Sequence, residues 1–288
     1  MHDITINTIC VCGTGTMGSG IAQTIAQSGF NVLLFDLDKT VLEKAKANIE
    51  INLQVLVDKG KLTTEEKGKT FHRMSFTDDI DQCRADVIIE AIVENIDAKV
   101  GLFNQLEKIN NKNTIFASNT SSLSVTAIAA KIKNPENVIG MHFFNPATVM
   151  KLVEIVNTHY TNENTTRIIL ELTRQIGKTP VLCKDSPGFI VNRVARPYYI
   201  EALRLVEEND TDFAQLDSLL EATGFKMGPF KLMDLIGNDI NYAVSQSVYE
   251  QLDKPERLKP SFIQQQKVKE GKLGKKSGEG YYKYNLSP

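Results

Sequence analysis

This chain of 288 residues has no CxxC pair, no internal repeat, no low-complexity tract and almost no surplus of charge. Its 33 Lys and Arg against 35 Asp and Glu leave a net charge of −2, which argues against a dedicated binder of nucleic acid or of a membrane surface. No apolar run approaches the roughly 18 residues that a membrane-spanning helix needs. Met1-His-Asp-Ile-Thr5 does not read as a signal peptide. The four cysteines, Cys10, Cys12, Cys83 and Cys183, are scattered, and Cys10 and Cys12 share one face of a strand, a poor setting for a disulfide. Reduced, buried thiols in a cytoplasmic protein are therefore expected, and no metal site is read from the chain.

What is present suggests two domains, with 42 % apolar and 24 % charged residues, ordinary for a soluble globular protein. Ile6 to Cys12 reads as an apolar strand that runs into Gly13-Thr-Gly15-Thr16-Met17-Gly18. A helical pattern follows through Ile21, Ile25 and Ala26, closes at Gly29, and gives way to a second strand, Val32 to Phe35, ending at Asp36. A lone GxGxxG is weak, but strand, helix, second strand and terminal acid all in place make a dinucleotide site the expectation. Gly13 allows the tight turn, Gly15 lets backbone approach a pyrophosphate, and Gly18 lets the helix pack on the sheet. The helix N-terminus offers amides to the phosphates. Asp36 suits the ribose hydroxyls of NAD and repels the 2′-phosphate of NADP, although Lys39 nearby would soften that preference.

From Asp38 to Lys59 the residues Leu42, Ala45, Ile49, Leu53 and Leu56 recur at helical spacing, and a second pattern from Thr64 to Lys69 completes a helical hairpin. Its lysines, including Lys59, read either as a solvated face or as contacts to a phosphorylated substrate. Asp86 to Ala91 is another buried strand, followed by Glu94 and a helix carrying Lys99. These are candidates for the nicotinamide side, the plain alternative being a capping acid and an exposed lysine. Thr114 to Ser118 is the next strand, and Asn119-Thr-Ser121-Ser122 after it is a capping run from which one group could donate to a substrate oxygen.

Val138 to Phe144 is almost continuously apolar and ends at Asn145-Pro146, so a short buried strand is expected with His142 at its C-terminal end. Glu154 lies in the next apolar run, Leu152 to Val156, where a carboxylate is costly unless paired. An imidazole on a neighbouring strand would be a suitable partner, and the pair would orient the ring. Two unrelated polar residues on strand edges is the alternative. The other histidines, His2 in the tail, His72 in a connecting segment and His159 just past a strand, are worse placed.

The segment Ile168 to Ile176 is a helix, Pro180 to Cys183 a last strand, and Lys184-Asp-Ser-Pro-Gly188 a break in composition. Beyond it the patterns are helical over roughly 189–208, 212–223, 230–252 and 260–270, with Asn192 in the first of them as either a cleft residue or a capping or solvent-facing one. The prediction is an α/β fold: a Rossmann-type doubly wound sheet with a helical-hairpin insertion over 1–184, followed by an all-helical C-terminal domain over 185–288.

Gly13-x-Gly-x-x-Gly18, Ser118-Asn-Thr-Ser-Ser122, His142-Phe-Phe-Asn-Pro146, Met150-Lys-Leu-Val-Glu154, Ser186-Pro-Gly-Phe-Ile-Val-Asn-Arg193, Met227-Gly-Pro229 and the Lys-Ser-Gly-Glu-Gly tail together resemble the 3-hydroxyacyl-CoA dehydrogenase family, most closely its short-chain 3-hydroxybutyryl-CoA members. The resemblance runs through nearly the whole chain in order, and HFFNP with MKLVE is its most specific part. It implies an NAD-dependent reaction with His142 as general base, Glu154 orienting it, and Ser121 and Asn192 hydrogen-bonding the substrate oxygen. It implies NAD contacts at Gly13, Gly15, Thr16, Met17, Gly18, Asp36, Glu94, Lys99, Asn119, Ser121, Asn145 and Lys276. Coenzyme A contacts are implied at Lys59, Ser121 and Asn52, the last where some relatives have a serine. It also implies a homodimer paired through the helical domain. A dehydrogenase of a 3-hydroxy acid without coenzyme A, and a non-enzymatic dinucleotide-binding scaffold, are the competing readings.

Overall fold

The computed structural model describes residues 6–208 and 211–285 and divides the chain into two compact units, 1–185 and 186–288. The first unit is built on strands β1 (Thr8–Cys12), β2 (Asn31–Phe35), β3 (Met74–Thr77), β4 (Val87–Glu90), β5 (Ile115–Ser118), β6 (Val138–Phe143), β7 (Leu152–Asn157) and β8 (Thr179–Lys184). They form an 8-stranded sheet in the order β3-β2-β1-β4-β5-β6-β7-β8. From β3 through β6 the pairing is parallel; β7 runs antiparallel to β6, and β8 is parallel to β7. The order reverses between β1 and β4, so the crevice beyond their C-terminal ends is where a doubly wound sheet receives a ligand.

Helices α1 (Thr16–Gln27), α2 (Lys39–Asp58), α3 (Thr64–His72), α4 (Ile96–Ile109), α5 (Val125–Ala129) and α6 (Glu163–Gln175) complete this unit. Strands such as β4 and β6, buried at every position, read as continuous apolar runs because helices cover such a sheet on its faces. The main core joins Ile9 and Val11 of β1 to Ile21 and Ile25 of α1, Ile49 and Leu53 of α2, and Ile169 and Leu172 of α6. Asp38 caps α2 through the amides of Thr40 and Val41, and Thr63 and Glu66 form a reciprocal capping box on α3.

The second unit holds α7 (Val191–Glu207), α8 (Phe213–Ala222), α9 (Pro229–Ile236), α10 (Asn238–Gln251) and α11 (Phe262–Lys269). Tyr199, Leu203, Leu216, Phe230, Met233 and Tyr281 make its core. Two carboxylates anchor the final segment. Asp234 accepts from the amides of Tyr281 and Tyr282 and from the Tyr284 hydroxyl, and Asp217 from the Tyr282 hydroxyl and the amides of Phe230 and Lys231.

Two local expectations need correction, and one element was missed. The helix expected over 230–252 is two, because Gly237 adopts φ 105°, ψ 125°, outside the range of a helix and of most L residues. His72 is the last residue of α3 rather than part of a connector. The edge strand β3 was not anticipated: Met-Ser-Phe-Thr is too short and too mixed to show a period, and pairing to β2 is what makes it a strand. His2 lies outside the described residues.

Candidate active site

The loop after β1 shows why each glycine is there. Gly13 has φ +95°, donates its N–H to the Phe35 carbonyl at 2.8 Å, and would put a Cβ 2.5 Å from the Ala91 carbonyl oxygen. A Cβ on Gly18 would fall 1.8 Å from the Gly13 oxygen. Gly15, by contrast, would meet nothing within 4 Å, so no protein contact requires a glycine there. Close approach of a ligand to the backbone would, and Gly15 is the N-cap of α1, which has no side-chain cap of its own. Thr16 and Met17 form the first turn of that helix.

Asp36 at the end of β2 turns towards the same loop. Its Oδ2 accepts from the Thr14 amide at 2.8 Å and the Thr14 hydroxyl at 2.9 Å, and its Oδ1 accepts from the Asp38 amide at 3.1 Å. Lys39 pairs with Asp78 at 3.1 Å, so its charge is partly answered away from Asp36. Gly13, Gly15, Asp36, Leu37, Ile92 and Val93 line a cavity of about 620 Å³. The donor-lined loop, the acid and the apolar walls suit the phosphates, ribose and adenine of a dinucleotide.

Beyond β4 and β5 lies a charge network with two buried members, Glu90 and Lys99, and a more exposed one, Glu94. Lys99 is 1 % exposed, and its Nζ stands 2.5 Å from Glu90 Oε1 and 3.1 Å from Glu94 Oε2. The plain reading of Lys99 as an exposed lysine is therefore wrong. Glu90 also accepts from the Ser118 hydroxyl at 2.6 Å and the Ile92 amide at 2.8 Å. Glu94 Oε1 accepts from the hydroxyls of Thr120 (2.5 Å) and Ser122 (2.8 Å) and the amides of Ser121 (3.1 Å) and Ser122 (3.2 Å). Burial pushes the Glu94 carboxyl up, but the Lys99 ammonium and the donated hydrogen bonds outweigh it and hold it below its ordinary value. Sequence reasoning had passed over Glu90. The available signal was the one that exposed Glu154, an acid in an apolar strand.

His142 and Glu154 face each other across the antiparallel pair β6–β7, in register. The ring Nδ1 is 2.7 Å from Glu154 Oε2, with His142 5 % and Glu154 0 % exposed. A carboxylate on Nδ1 fixes the ring orientation and favours the tautomer that carries its proton on that side. The Phe144 ring packs beside the imidazole at 4.6 Å. Asn119 ties this strand end to β5: its side-chain oxygen accepts from the Phe143 amide at 2.8 Å.

A second cavity, of about 390 Å³, runs between α1, α2 and the segment after β6, lined by Gly15, Thr16, Asn48, Asn52 and Asn145. Lys59 follows α2 directly, seven positions beyond Asn52 and so on the same side of the helix, where it is exposed. Asn192 and Lys276 belong to the second unit. The Asn192 carbonyl accepts from Arg196 Nε at 2.9 Å, and Lys276 pairs with Asp239 at 2.6 Å. Burial lowers the Arg196 guanidinium to about 10.

Residues 8–186 match the family model "3-hydroxyacyl-CoA dehydrogenase, NAD binding domain", and residues 188–284 match "3-hydroxyacyl-CoA dehydrogenase, C-terminal domain". The chain belongs to the 3-hydroxyacyl-CoA dehydrogenase family. Members are oxidoreductases that act on CH–OH groups with NAD, and the first unit carries the family's NAD-binding domain. The chain is 47 % identical over 281 residues to the 3-hydroxyadipyl-CoA dehydrogenase of Escherichia coli K12, covering 97 % of this chain but 59 % of that longer relative. It is 40 % identical over 281 residues to the probable 3-hydroxybutyryl-CoA dehydrogenase of Bacillus subtilis, covering 97 % of this chain and 98 % of that one. Among solved structures, the (S)-3-hydroxybutyryl-CoA dehydrogenase of Ralstonia eutropha superposes with a TM-score of 0.93 at 36 % identity, covering 98 % of this chain and all of that one. Among the described residues, no helix is long and apolar enough to cross a membrane.

Proposed function

We propose that the chain interconverts short-chain (S)-3-hydroxyacyl-CoA and 3-oxoacyl-CoA, in particular 3-hydroxybutyryl-CoA and acetoacetyl-CoA, with NAD in preference to NADP. The observation that carries this reading is the 2.7 Å contact between His142 and Glu154, buried in an NAD-binding unit of this family. NAD, when bound, supplies the hydride acceptor in oxidation and the donor in reduction. It would be held by the Gly13–Gly18 loop with Thr16 and Met17, by Asp36, and around the nicotinamide by Glu94, Lys99, Asn119, Ser121, Asn145 and Lys276. The Asp36 carboxylate answers ribose hydroxyls and disfavours an added phosphate.

His142 takes the proton of the 3-hydroxyl as the carbon becomes a carbonyl, and returns it to the ketone in the reverse direction. Glu154 holds the ring and stabilises the imidazolium that forms. Ser121 and Asn192 donate to the substrate oxygen, fixing it within reach of His142. Lys59, Asn52 and Ser121 meet coenzyme A, whose phosphates explain a lysine at the end of α2. The division of labour we propose is 1–184 for NAD and 185–288 for the substrate and for pairing two subunits. We place the reaction in the cytoplasm, a reading that four cysteines without a disulfide among them support.

The 47 % identity to a 3-hydroxyadipyl-CoA dehydrogenase favours a second acyl group, one ending in a carboxylate. Following NADH absorbance with acetoacetyl-CoA and with 3-oxoadipyl-CoA tests both. Faster turnover of the four-carbon thioester supports the first reading, and faster turnover of the dicarboxylic one replaces it. No turnover of either, in a protein that binds NADH, sinks both readings.

A further inference from the structure

Glu90, Lys99 and Glu94 place two carboxylates on one ammonium, with Glu90 and Lys99 buried to 0 % and 1 % exposure. As a device for stability this is poor, since a buried ion pair rarely improves on apolar side chains of the same volume. Val87, Ile88 and Ile89 show that the rest of β4 is filled with such side chains. The acid stands only at the strand's C-terminal end, on the crevice side of the sheet. From there its contacts lead two ways. One carboxylate oxygen receives the Ile92 amide, and Ile92 lines the dinucleotide cavity. Through Lys99 it reaches Glu94, whose Oε1 gathers the Thr120 and Ser122 hydroxyls and the Ser121 and Ser122 amides.

We propose that Glu90 is a positioning residue for the reaction: it holds Lys99, and Lys99 holds Glu94 against the Ser121–Ser122 amides. Glu90 touches neither substrate nor cofactor. Lys99, enclosed by the two carboxylates, passes this constraint on to Glu94, separately from its proposed place beside the nicotinamide. Among the described residues, neutralising Glu90 leaves Glu94 as the carboxylate still paired with the ammonium. Lys99 then moves towards it and competes with the serine amides for the same carboxylate. The part of this inference that concerns turnover rests on the proposed role of Ser121; the part that concerns the segment's order does not.

Glu90→Gln keeps the volume and most hydrogen bonds while removing the charge. Amide hydrogen exchange of Ser121 and Ser122 should become about tenfold faster in this variant, with residues 138–143 unchanged. Turnover of acetoacetyl-CoA per titrated NADH site should fall roughly 10- to 100-fold, with the Kd for NADH within about threefold of the parent. The double variant Glu90→Gln/Lys99→Met deletes the pair as a unit and should be no slower than Lys99→Met alone, because both changes act along one chain of contacts. Unchanged exchange at Ser121 and Ser122 overturns the proposal, whatever the kinetics. So does faster exchange with undiminished turnover, or additive losses in the double variant. If the parent itself does not turn over acetoacetyl-CoA, the reading of substrate fails while the exchange result still decides whether Glu90 positions the segment.

Discussion

Glu154 in the first unit and Asp234 in the second are buried alike, at 0 % and 1 % exposure, but they serve different ends. Asp234 is surrounded by groups whose charge does not change near neutral pH: the amides of Tyr281 and Tyr282, the Tyr284 hydroxyl and the Asn238 side chain. The three tyrosine contacts fasten residues 281–284 to α9, and the Asn238 side chain ties the start of α10 to it. Glu154 has an imidazole partner, the His142 ring, on the adjoining strand at the end where the crevice lies. Burial of an acid is therefore no sign of catalysis by itself. The partner matters: backbone amides and tyrosines make a clasp, whereas an imidazole is what the proposed proton transfer requires.

The largest effect that would break this comparison is in turnover. His142→Gln should lower kcat by about 10²–10⁴-fold, with NADH binding and the unfolding midpoint close to the parent. Undiminished turnover would remove the histidine from the chemistry. Asp234→Ala should do the opposite: by leaving several buried donors without an acceptor it should cost about 2–4 kcal/mol in denaturant unfolding. A midpoint equal to the parent's would show that the tail is not held as described.

The glycine loop offers a sharper version within one motif. Gly18→Ala drives a Cβ into the Gly13 carbonyl and should shift the backbone, weakening NADH binding and lowering thermal stability together. Gly15→Ala meets no protein atom within 4 Å and should weaken NADH binding with thermal stability unchanged. Equal loss of stability in both would deny the ligand-facing role of Gly15. The smallest effect is expected at the exposed end of α2, where Lys59→Glu should raise KM for acetoacetyl-CoA about two- to fivefold and leave the Kd for NADH alone. An unaltered KM would move coenzyme A away from this helix.

Much of the architecture was legible in the chain because it rests on local periodicity. Buried parallel strands are apolar runs, their helices carry a 3.6-residue stripe, and Gly13-x-Gly-x-x-Gly18 before a strand ending in Asp36 is a motif with one mechanical explanation. Where local pattern was thin, reading failed. Met74–Thr77 is a strand only by virtue of β2 beside it, and the break at Gly237 is a backbone angle that a helical stripe running through it conceals. His142 and Glu154 could be singled out as costly polar groups in apolar strands, but twelve residues of separation did not say that they meet.

By itself, then, the sequence determined the alternation of strand and helix, the dinucleotide loop and a short list of polar groups that needed partners. Only the tertiary structure decided the partners. Antiparallel register sets His142 opposite Glu154, and the adjacency of β4 and β5 brings Ser118 to Glu90 and the Thr120–Ser122 segment to Glu94. The physical reason is that hydrophobic burial follows short-range periodicity. The pairing of charges follows which strands lie side by side, and that is settled by the whole sheet at once.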